Sequence, residues 1–210
     1  MLPSPSTVFL IDDDSSVRRA LTRLIKSAGY PVLAFASAGE FLENNVPSDG
    51  PACLVLDIRM PGLSGLDLQG ELQKRDSILP IIFITGHGDI PMSVQAMKAG
   101  AVDFLPKPVK DKELLHAIEQ ALARAGRENA DRGEIADIRR RSVTLTPRER
   151  EVMELVVTGM INKQIAYELG TVEKTIKIHR ARVMEKMKAG SLAELVRIAE
   201  RIGIPKTSNQ

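Results

Sequence analysis

Several residue types are scarce in this sequence, and each scarcity excludes something. Only one of the 210 residues is a cysteine, Cys53, so the chain cannot form an internal disulfide and suits a reducing compartment. It has no tryptophan and only 3% aromatic residues, so its cores must be built from Leu, Ile, Val, Ala and Met. No apolar run approaches the roughly 18 residues of a membrane-spanning helix, and no signal-peptide pattern opens the chain. These absences predict a soluble, cytoplasmic protein with no membrane partner.

The charge is distributed unevenly along the chain. Residues 139–210 contain 15 Lys and Arg against 8 Asp and Glu, an excess of +7, although the net charge of the whole chain is only +2. Residues 1–138 therefore carry a net charge of −5. An acidic first part and a basic second part indicate two domains with different partners.

Short apolar runs alternate with amphipathic segments through the first 125 residues. The strand-like runs end, in order, at Ile11, Phe35, Asp57, Ile84 and Leu105. Each is followed by a segment whose apolar residues have helical spacing, and Ser15 and Ser16 are suited to cap the first of these helices. Five strands alternating with five helices predict an α/β fold, a doubly wound parallel sheet of the (βα)5, flavodoxin-like type.

Reactive side chains stand at the ends of four of these strands. They are Asp12 and Asp13, Asp57, Thr85 and Lys107. Because the carboxyl ends of parallel strands meet at one edge, where ligands bind, we expect these groups to converge. Taken alone, Asp57 is better explained as a strand-end residue that caps the next loop. The residues at the other three strand ends change that balance and favour a site.

The charges of this cluster predict its chemistry. Three carboxylates repel one another unless cations are present, and Mg²⁺ prefers a few carboxylates plus water. The charges of Asp12, Asp13 and Asp57 together with Mg²⁺ and Lys107 sum to zero, which leaves the site able to accept an anion such as a phosphoryl group. Asp57 is then the candidate nucleophile, which would form an aspartyl phosphate, while the metal and Lys107 screen the transferring oxygens.

These residues, in this order and at these separations, resemble a two-component receiver domain over residues 5–125. The motifs that match are Asp12-Asp13, Asp57 with Met60-Pro61-Gly62, Thr85 and Lys107-Pro108. The resemblance implies Asp57 as phosphoacceptor, and Mg²⁺ held by Asp13, Asp57 and the Arg59 carbonyl, with Asp12 bonded through water. It also implies Thr85 and Phe104 as a switch pair and a cis bond between Lys107 and Pro108, although Phe104 could equally be an ordinary core residue.

A charged stretch leads to a basic helical region. Residues 126–142 have few apolar side chains and predict a charged linker, which can be a helix continuing from the fifth one and broken near Gly126 or Gly133. Thr146, Pro147 and Glu149 form a clear helix start. Beyond it, a short helix ending at Gly170 and a longer basic one follow the pattern of an all-α helix-turn-helix domain, although a small bundle with a charged exterior fits too.

The segments Leu145–Glu149, Asn162–Ala166 and Lys174–Arg180 are similar to the output domain of the NarL/FixJ (LuxR-type) transcription factors over residues 143–205. The resemblance implies base contacts by Lys177, Ile178 and Ala181. It implies phosphate contacts by a second set: Lys163, Thr175, His179, Arg180 and Arg182. The sequence departs from the family at Ala181, where many members have a longer polar residue, and at Thr171-Val172, where many have an apolar residue and a Ser cap. We expect Thr171 to cap the recognition helix one residue early.

Together these features predict a response regulator that is not an enzyme, apart from phosphorylation and dephosphorylation of its own Asp57. The resemblance implies a sensor histidine kinase as phosphodonor, a homodimer on phosphorylation, double-stranded DNA as ligand, and RNA polymerase as a further partner. One rival is an Mg²⁺-dependent hydrolase or phosphotransferase with an aspartyl-phosphate intermediate. Such an enzyme needs a substrate pocket and an acid or base that activates water, usually on an inserted cap, and the short loops of this sequence offer neither. A second rival keeps the receiver and makes the tail a protein- or RNA-binding bundle.

Overall fold

The computed structural model describes residues 6–44, 50–86 and 90–204, and the predicted domain ends at residues 5 and 205 lie outside these ranges. The chain divides into two compact units, residues 1–130 (the N-terminal unit) and residues 131–210 (the C-terminal unit). Within the ranges just given, no helix is both long enough and apolar enough to cross a bilayer.

The N-terminal unit is a parallel sheet of five strands in the order β2-β1-β3-β4-β5. In chain order its elements are β1 Thr7–Ile11, α1 Ser15–Ser27, β2 Val32–Phe35, α2 Ala38–Asn44, β3 Ala52–Asp57, α3 Gly65–Lys74, β4 Ile81–Thr85, α4 Ile90–Lys98, β5 Asp103–Pro106 and the first part of α5 Asp111–Val143. The predicted (βα)5 fold is confirmed. The strand order reverses between β1 and β3, so these two strands open a crevice at their carboxyl ends.

Both faces of the three inner strands, β1, β3 and β4, are buried, which explains why these strands read as continuous apolar runs rather than alternating ones. One face of β3 packs Leu54 and Leu56 against residues of α2, α3 and α4. The other face packs Cys53 and Val55 against α1 and α5. Cys53 is fully buried, and this burial raises the pKa of its thiol to about 12. Every residue of β3 down to Asp57 is buried, so the strand delivers a carboxylate to the edge of a closed core.

The first helix begins differently from the sequence prediction. Asp14, not Ser15 or Ser16, is the N-cap of α1, because its carboxylate accepts hydrogen bonds from the backbone amides of Ser16 and Val17 at 2.7 and 3.3 Å. The Ser16 hydroxyl donates to the same carboxylate. The hydrogen bonds from Ser16 lower the pKa of Asp14, as expected for a carboxylate at a helix N-terminus.

The C-terminal unit is all helical in its described residues. Its helices are the last part of α5, then α6 Pro147–Val157, α7 Asn162–Glu168, α8 Glu173–Met187 and α9 Leu192–Arg201. Thr146 and Glu149 form the predicted capping box at the start of α6. Glu149 is only 2% exposed and accepts a hydrogen bond from Lys186 of α8 at 2.6 Å. The Lys186 ammonium, followed by the Thr146 amide, lowers the pKa of Glu149.

Helix α5 passes through Gly126 and Gly133 without interruption, so the break expected near one of these glycines is absent. Its residues from 131 onwards belong to the C-terminal unit. Ile138 is 1% exposed and lies in the core of that unit. Arg141 donates through Nη1 to the carbonyl of Met187, at the end of α8, at 2.6 Å. The last turns of α5 are therefore built into the unit that holds α8.

The recognition-helix candidate α8 also begins differently from the prediction. Its N-cap is Val172, which makes no side-chain capping hydrogen bond, and not Thr171. The Val172 carbonyl accepts from the amides of Thr175 and Ile176 at 3.0 and 3.3 Å, so the first turn forms from backbone bonds alone. The capping contribution of about 1 kcal/mol that a Ser, Thr, Asp or Asn would supply is missing from this helix.

Candidate functional site

The acidic side chains predicted to converge do so at the crevice between β1 and β3. Asp12 and Asp13 follow β1, and Asp57 ends β3. One carboxylate oxygen from each of the three lies within 4.8 Å of the others, a spacing that can hold a metal ion. Asp12 and Asp57 are buried and Asp13 is exposed, so the cluster is open to solvent on one side.

Lys107 joins two of these acids. Its Nζ lies 2.7 Å from Asp12 Oδ2 and 2.5 Å from Asp57 Oδ2. Burial raises the pKa of Asp12 despite the lowering effect of Lys107. Burial alone would lower the pKa of Lys107, but the hydrogen bonds and charges of Asp12 and Asp57 outweigh it and raise that pKa. The ammonium is thus held charged beside two carboxylates.

The backbone around Asp57 is closely fitted. Asp57 Oδ1 accepts from the amide of Arg59 at 3.0 Å, and the amide of Gly65 donates to the carbonyl of Ile58 at 3.0 Å. A Cβ at Gly65 would lie 2.4 Å from the Asp57 carbonyl oxygen, so only glycine permits α3 to start this close to the strand end. The Asp57 carboxylate therefore has a donor on each oxygen, the Arg59 amide on Oδ1 and Lys107 Nζ on Oδ2, and the start of α3 packs directly against its backbone.

An Mg²⁺ ion suits this donor set. The three clustered atoms are carboxylate oxygens, the ligand type that Mg²⁺ prefers, and the open side leaves room for the waters it retains. Three clustered carboxylates against the single charge of Lys107 leave an excess of negative charge that a divalent cation would balance.

Thr85 and Phe104 lie on the two strands beyond Asp57. Thr85 is buried at the end of β4, and its carbonyl accepts from the Lys107 amide at 2.7 Å. Phe104 is half-buried on β5, packs against the core of the sheet, and is opposite Phe83 in the β4–β5 register. The Lys107–Pro108 bond is cis, as the resemblance implied.

A residue that sequence reasoning missed also reaches this site. Arg18, in the first turn of α1, donates through Nη1 to the carbonyl oxygens of Asp12 at 2.5 Å and Asp13 at 3.3 Å. Its acceptors are backbone atoms, which every residue has, so no pattern in the sequence could single it out.

On α8, the predicted base-contacting side chains lie on an exposed face. Lys177, Ile178 and Ala181 are all exposed, with Ile178 48% accessible despite its apolar side chain. Lys177 gives this face a hydrogen-bond donor, and Ile178 gives it an apolar contact group. Ala181 adds no polar atom to this face.

The predicted phosphate-contacting residues divide into two groups. Lys163 and Arg182 are exposed, whereas Thr175, His179 and Arg180 are half-buried. Arg180 donates through Nη1 to Asn162 Oδ1 at 3.2 Å, which links α8 to the first residue of α7. In the part of the chain that the structure describes, His179 Nδ1 is buried without a hydrogen-bond partner.

Family models match both units. The model described as "Response regulator receiver domain" matches residues 8–119, and the model described as "Bacterial regulatory proteins, luxR family" matches residues 143–199. The second match begins after the buried Ile138 and after Arg141, which both belong to the C-terminal unit.

Named relatives cover nearly the whole chain. Nodulation protein W of Bradyrhizobium diazoefficiens is 54% identical over 94% of this chain and 86% of its own length. Transcriptional regulatory protein FixJ of Azorhizobium caulinodans is 44% identical over 97% of this chain and 96% of its own. Among solved structures, response regulator StyR has a TM-score of 0.83 at 47% identity and covers 94% of this chain and 99% of its own.

Proposed function

Since the chain belongs to the NarL/FixJ family of response regulators, which join a receiver domain to a LuxR-type DNA-binding domain and regulate transcription, we propose that Asp57 accepts a phosphoryl group from a sensor histidine kinase. Phosphorylation then promotes dimerisation of the protein and its binding to promoter DNA. The observation that carries this proposal is the pair of contacts from Lys107 to Asp12 and Asp57, because it ties the end of β5 to the acids at the switch point of the sheet.

The phosphoryl transfer follows from the contacts of Asp57. A carboxylate oxygen forms the new P–O bond while the P–N bond of the kinase's phosphohistidine breaks, and its electron pair returns to the imidazole. Asp12, Asp13, Asp57 and the Arg59 carbonyl would hold Mg²⁺, which would neutralise charge on the transferring oxygens when bound. As Asp57 becomes an acyl phosphate, the Lys107 ammonium is close enough to pair with a phosphoryl oxygen.

The switch pair lies one and two strands away from this chemistry. The Thr85 hydroxyl, at the end of the strand beside Asp57, turns to a phosphoryl oxygen, and the half-buried ring of Phe104 moves inward behind it. The backbone bond from the Lys107 amide to the Thr85 carbonyl supports this part, because it ties the loop that carries the ammonium to the strand that carries the hydroxyl. Phosphorylation can shift the protein toward its active state only by the difference between the interaction free energies of the phosphoryl group in the active and inactive states.

The dimerisation part is supported by the surface of α4. Ile90, Val94 and Met97 follow the spacing of a single helix face and are 77%, 45% and 45% exposed. Helix α4 packs beside β5, the strand that carries Phe104. An apolar face next to the switch residue gives a second copy a surface to bury.

DNA binding is supported by the exposed, basic face of α8. Lys177, Ile178 and Ala181 meet base edges in the major groove, while Lys163, Thr175, His179, Arg180 and Arg182 lie near phosphates. A dimer then binds two half-sites about one helical turn apart. Because Ala181 offers no polar atom, direct readout depends mainly on Lys177. Contact between the DNA-bound dimer and RNA polymerase completes the proposal.

The phosphoacceptor is tested by labelling with a small phosphodonor in the presence of Mg²⁺. The wild-type chain should acquire an alkali-labile phosphate that Asp57→Asn does not acquire. In gel-shift assays on genomic fragments, the affinity for DNA should increase on phosphodonor treatment for the wild type but not for Asp57→Asn. Equal labelling of Asp57→Asn would overturn the assignment. Steady turnover of a small phosphoester would instead support the hydrolase alternative.

The DNA interface is tested by Lys177→Ala. Loss of a base contact should reduce the preference for a specific site over random DNA by about 10- to 100-fold, because such a contact contributes about 1–3 kcal/mol. Arg197→Ala, which removes an exposed positive charge from α9, is the matched control and should leave selectivity unchanged. Binding that is insensitive to salt would contradict a DNA-binding function altogether.

A further inference from the structure

We propose that Arg18 is a positioning residue for the phosphoacceptor site, which fixes the loop carrying Asp12 and Asp13 and thereby sets the affinity of the site for Mg²⁺. This inference rests on the proposed function of Asp57 and deepens it, because it identifies a residue outside the acidic cluster on which loading of the metal depends.

The geometry of Arg18 is that of a clamp on the β1–α1 loop. Its Nη1 reaches back past the start of α1 to the carbonyl oxygens of Asp12 and Asp13, at 2.5 and 3.3 Å. Its own amide donates to the carbonyl of Asp14 at 2.9 Å, so the guanidinium extends from a backbone that is itself anchored to the same loop. The side chain is half-buried; its hydrogen bond to the Asp12 carbonyl is partly shielded from solvent, whereas the one to the Asp13 carbonyl is exposed.

The two acids depend on this clamp to different degrees. Asp12 is buried, and its carboxylate is held by the Asp14 amide at 2.9 Å and by Lys107 at 2.7 Å. Asp13 is exposed, and within the described part of the chain its carboxylate has no hydrogen-bond or ion-pair partner. The direction of the Asp13 side chain is therefore set by its backbone, and Arg18 bonds to the carbonyl of that backbone.

Mg²⁺ is sensitive to such positioning. It demands near-ideal octahedral geometry with short metal–oxygen distances, so a ligand held loosely contributes less affinity than one held in place. Side chains that orient metal ligands without touching the metal typically change metal affinity by about 10- to 100-fold when they are removed. Arg18 would orient Asp13 in the same way, but through the backbone carbonyl of Asp13 and not through its carboxylate.

The neighbouring residue offers a matched control. Arg19 is also on α1, but it is exposed, and its contact is a single long hydrogen bond of 3.5 Å to the Ser15 hydroxyl. Arg18→Met and Arg19→Met remove the same charge from consecutive positions of the same helix. Any effect of net charge on the acidic site should therefore appear in both variants.

The test compares full-length wild type, Arg18→Met, Arg19→Met and Arg18→Lys. Mg²⁺ affinity is measured without chemistry, from amide chemical-shift changes during titration with MgCl2, and labelling is measured with acetyl phosphate over a range of Mg²⁺. We expect the Mg²⁺ dissociation constant of Arg18→Met to rise by about 10-fold, with slower labelling at low Mg²⁺ that recovers to within about 2-fold at saturation. Arg18→Lys, which keeps one cationic donor, should show a smaller increase, and Arg19→Met should match wild type.

The outcomes separate this inference from the function on which it rests. If the wild type binds Mg²⁺ and is labelled on Asp57, but Arg18→Met has the wild-type Mg²⁺ dependence, the positioning role is wrong and the proposed function stands. A lowered thermal midpoint with unchanged Mg²⁺ affinity has the same meaning, because it indicates a purely structural residue. If the wild type neither binds Mg²⁺ nor becomes labelled, the proposed function fails and the inference fails with it.

Discussion

Ile138 provides a quantitative test of where the DNA-binding unit begins. It lies on α5, before the segment 143–199 that the LuxR-family model matches, yet it is 1% exposed in the core of the C-terminal unit. We predict that Ile138→Ala destabilises the unit that holds α8. If residues before 143 were only a tether, truncating this side chain would have little effect.

The magnitude follows from burial. Replacing a fully buried isoleucine by alanine removes three carbon atoms and leaves a cavity, which costs about 2–5 kcal/mol. A unit of this size has a total free energy of unfolding of about 4–11 kcal/mol. Ile138→Ala should therefore remove a large part of the stability of the unit, about 3 kcal/mol.

The measurement is hydrogen exchange of the full-length chain, read on peptides from α6 and α8. A loss of about 3 kcal/mol should accelerate exchange of the slowest amides there by about 100-fold, while peptides from the sheet of the N-terminal unit stay unchanged. Ile135→Ala is the control, since Ile135 is on the same helix but only half-buried. Equal effects of the two substitutions, or none from Ile138→Ala, would refute the reasoning.

Three further predictions concern helix starts and a buried charge. Val172→Ser should stabilise the C-terminal unit by about 1 kcal/mol, because the serine hydroxyl supplies the capping hydrogen bond that α8 lacks. The measurement is the thermal midpoint of unfolding, which should rise. An unchanged midpoint would show that the first turn of α8 needs no cap. Because the pKa of Glu149 is lowered in the fold, its pairing with Lys186 stabilises the folded state at pH values above the ordinary glutamate pKa of about 4.3, and this stabilisation is lost as the pH falls below that value. The free energy of unfolding in urea should therefore depend less on pH between about pH 3 and 5 in Glu149→Gln than in the wild type. An equally steep loss of stability in acid for the variant would contradict this. Gly65→Ala should slow labelling by acetyl phosphate and destabilise the N-terminal unit, because the added Cβ would lie 2.4 Å from the backbone oxygen of Asp57. Gly70→Ala on the same helix is the control: its Cβ meets no atom within 4 Å, so the free energy of unfolding should stay the same or rise.

The fold could be predicted from sequence because its signals are local and repeated. Each strand is an apolar run closed by polar residues or proline, and strands with both faces buried must look continuous. The acidic cluster could be predicted for the same reason, since parallel strands bring their carboxyl ends together whatever the details of packing. The capping box of Thr146 and Glu149 is also a local pattern.

Two kinds of feature could not be predicted from the sequence: the choice of helix cap among neighbouring residues, and hydrogen bonds from side chains to backbone carbonyl oxygens. Asp14 and Ser15 are both residue types that cap helices well, and in the structure the Asp14 carboxylate takes this role by accepting from the amides of Ser16 and Val17. Val172 begins α8 because backbone hydrogen bonds suffice where a cap was expected. Arg18 and Arg141 both bond to carbonyl oxygens, which any residue type provides, so their partners leave no mark on composition or spacing.

The buried thiol on β3 has a practical consequence. The Cys53 thiol has no exposed surface, and its burial raises its pKa to about 12, so we expect it to stay protonated near neutral pH and to react slowly with oxidants and alkylating reagents. Because the chain has no other cysteine, cysteines introduced on its surface would be its readily labelled attachment points. Spin labels or fluorophores attached at two such positions could thus be read before and after a phosphodonor is added, without first removing the native sulfur.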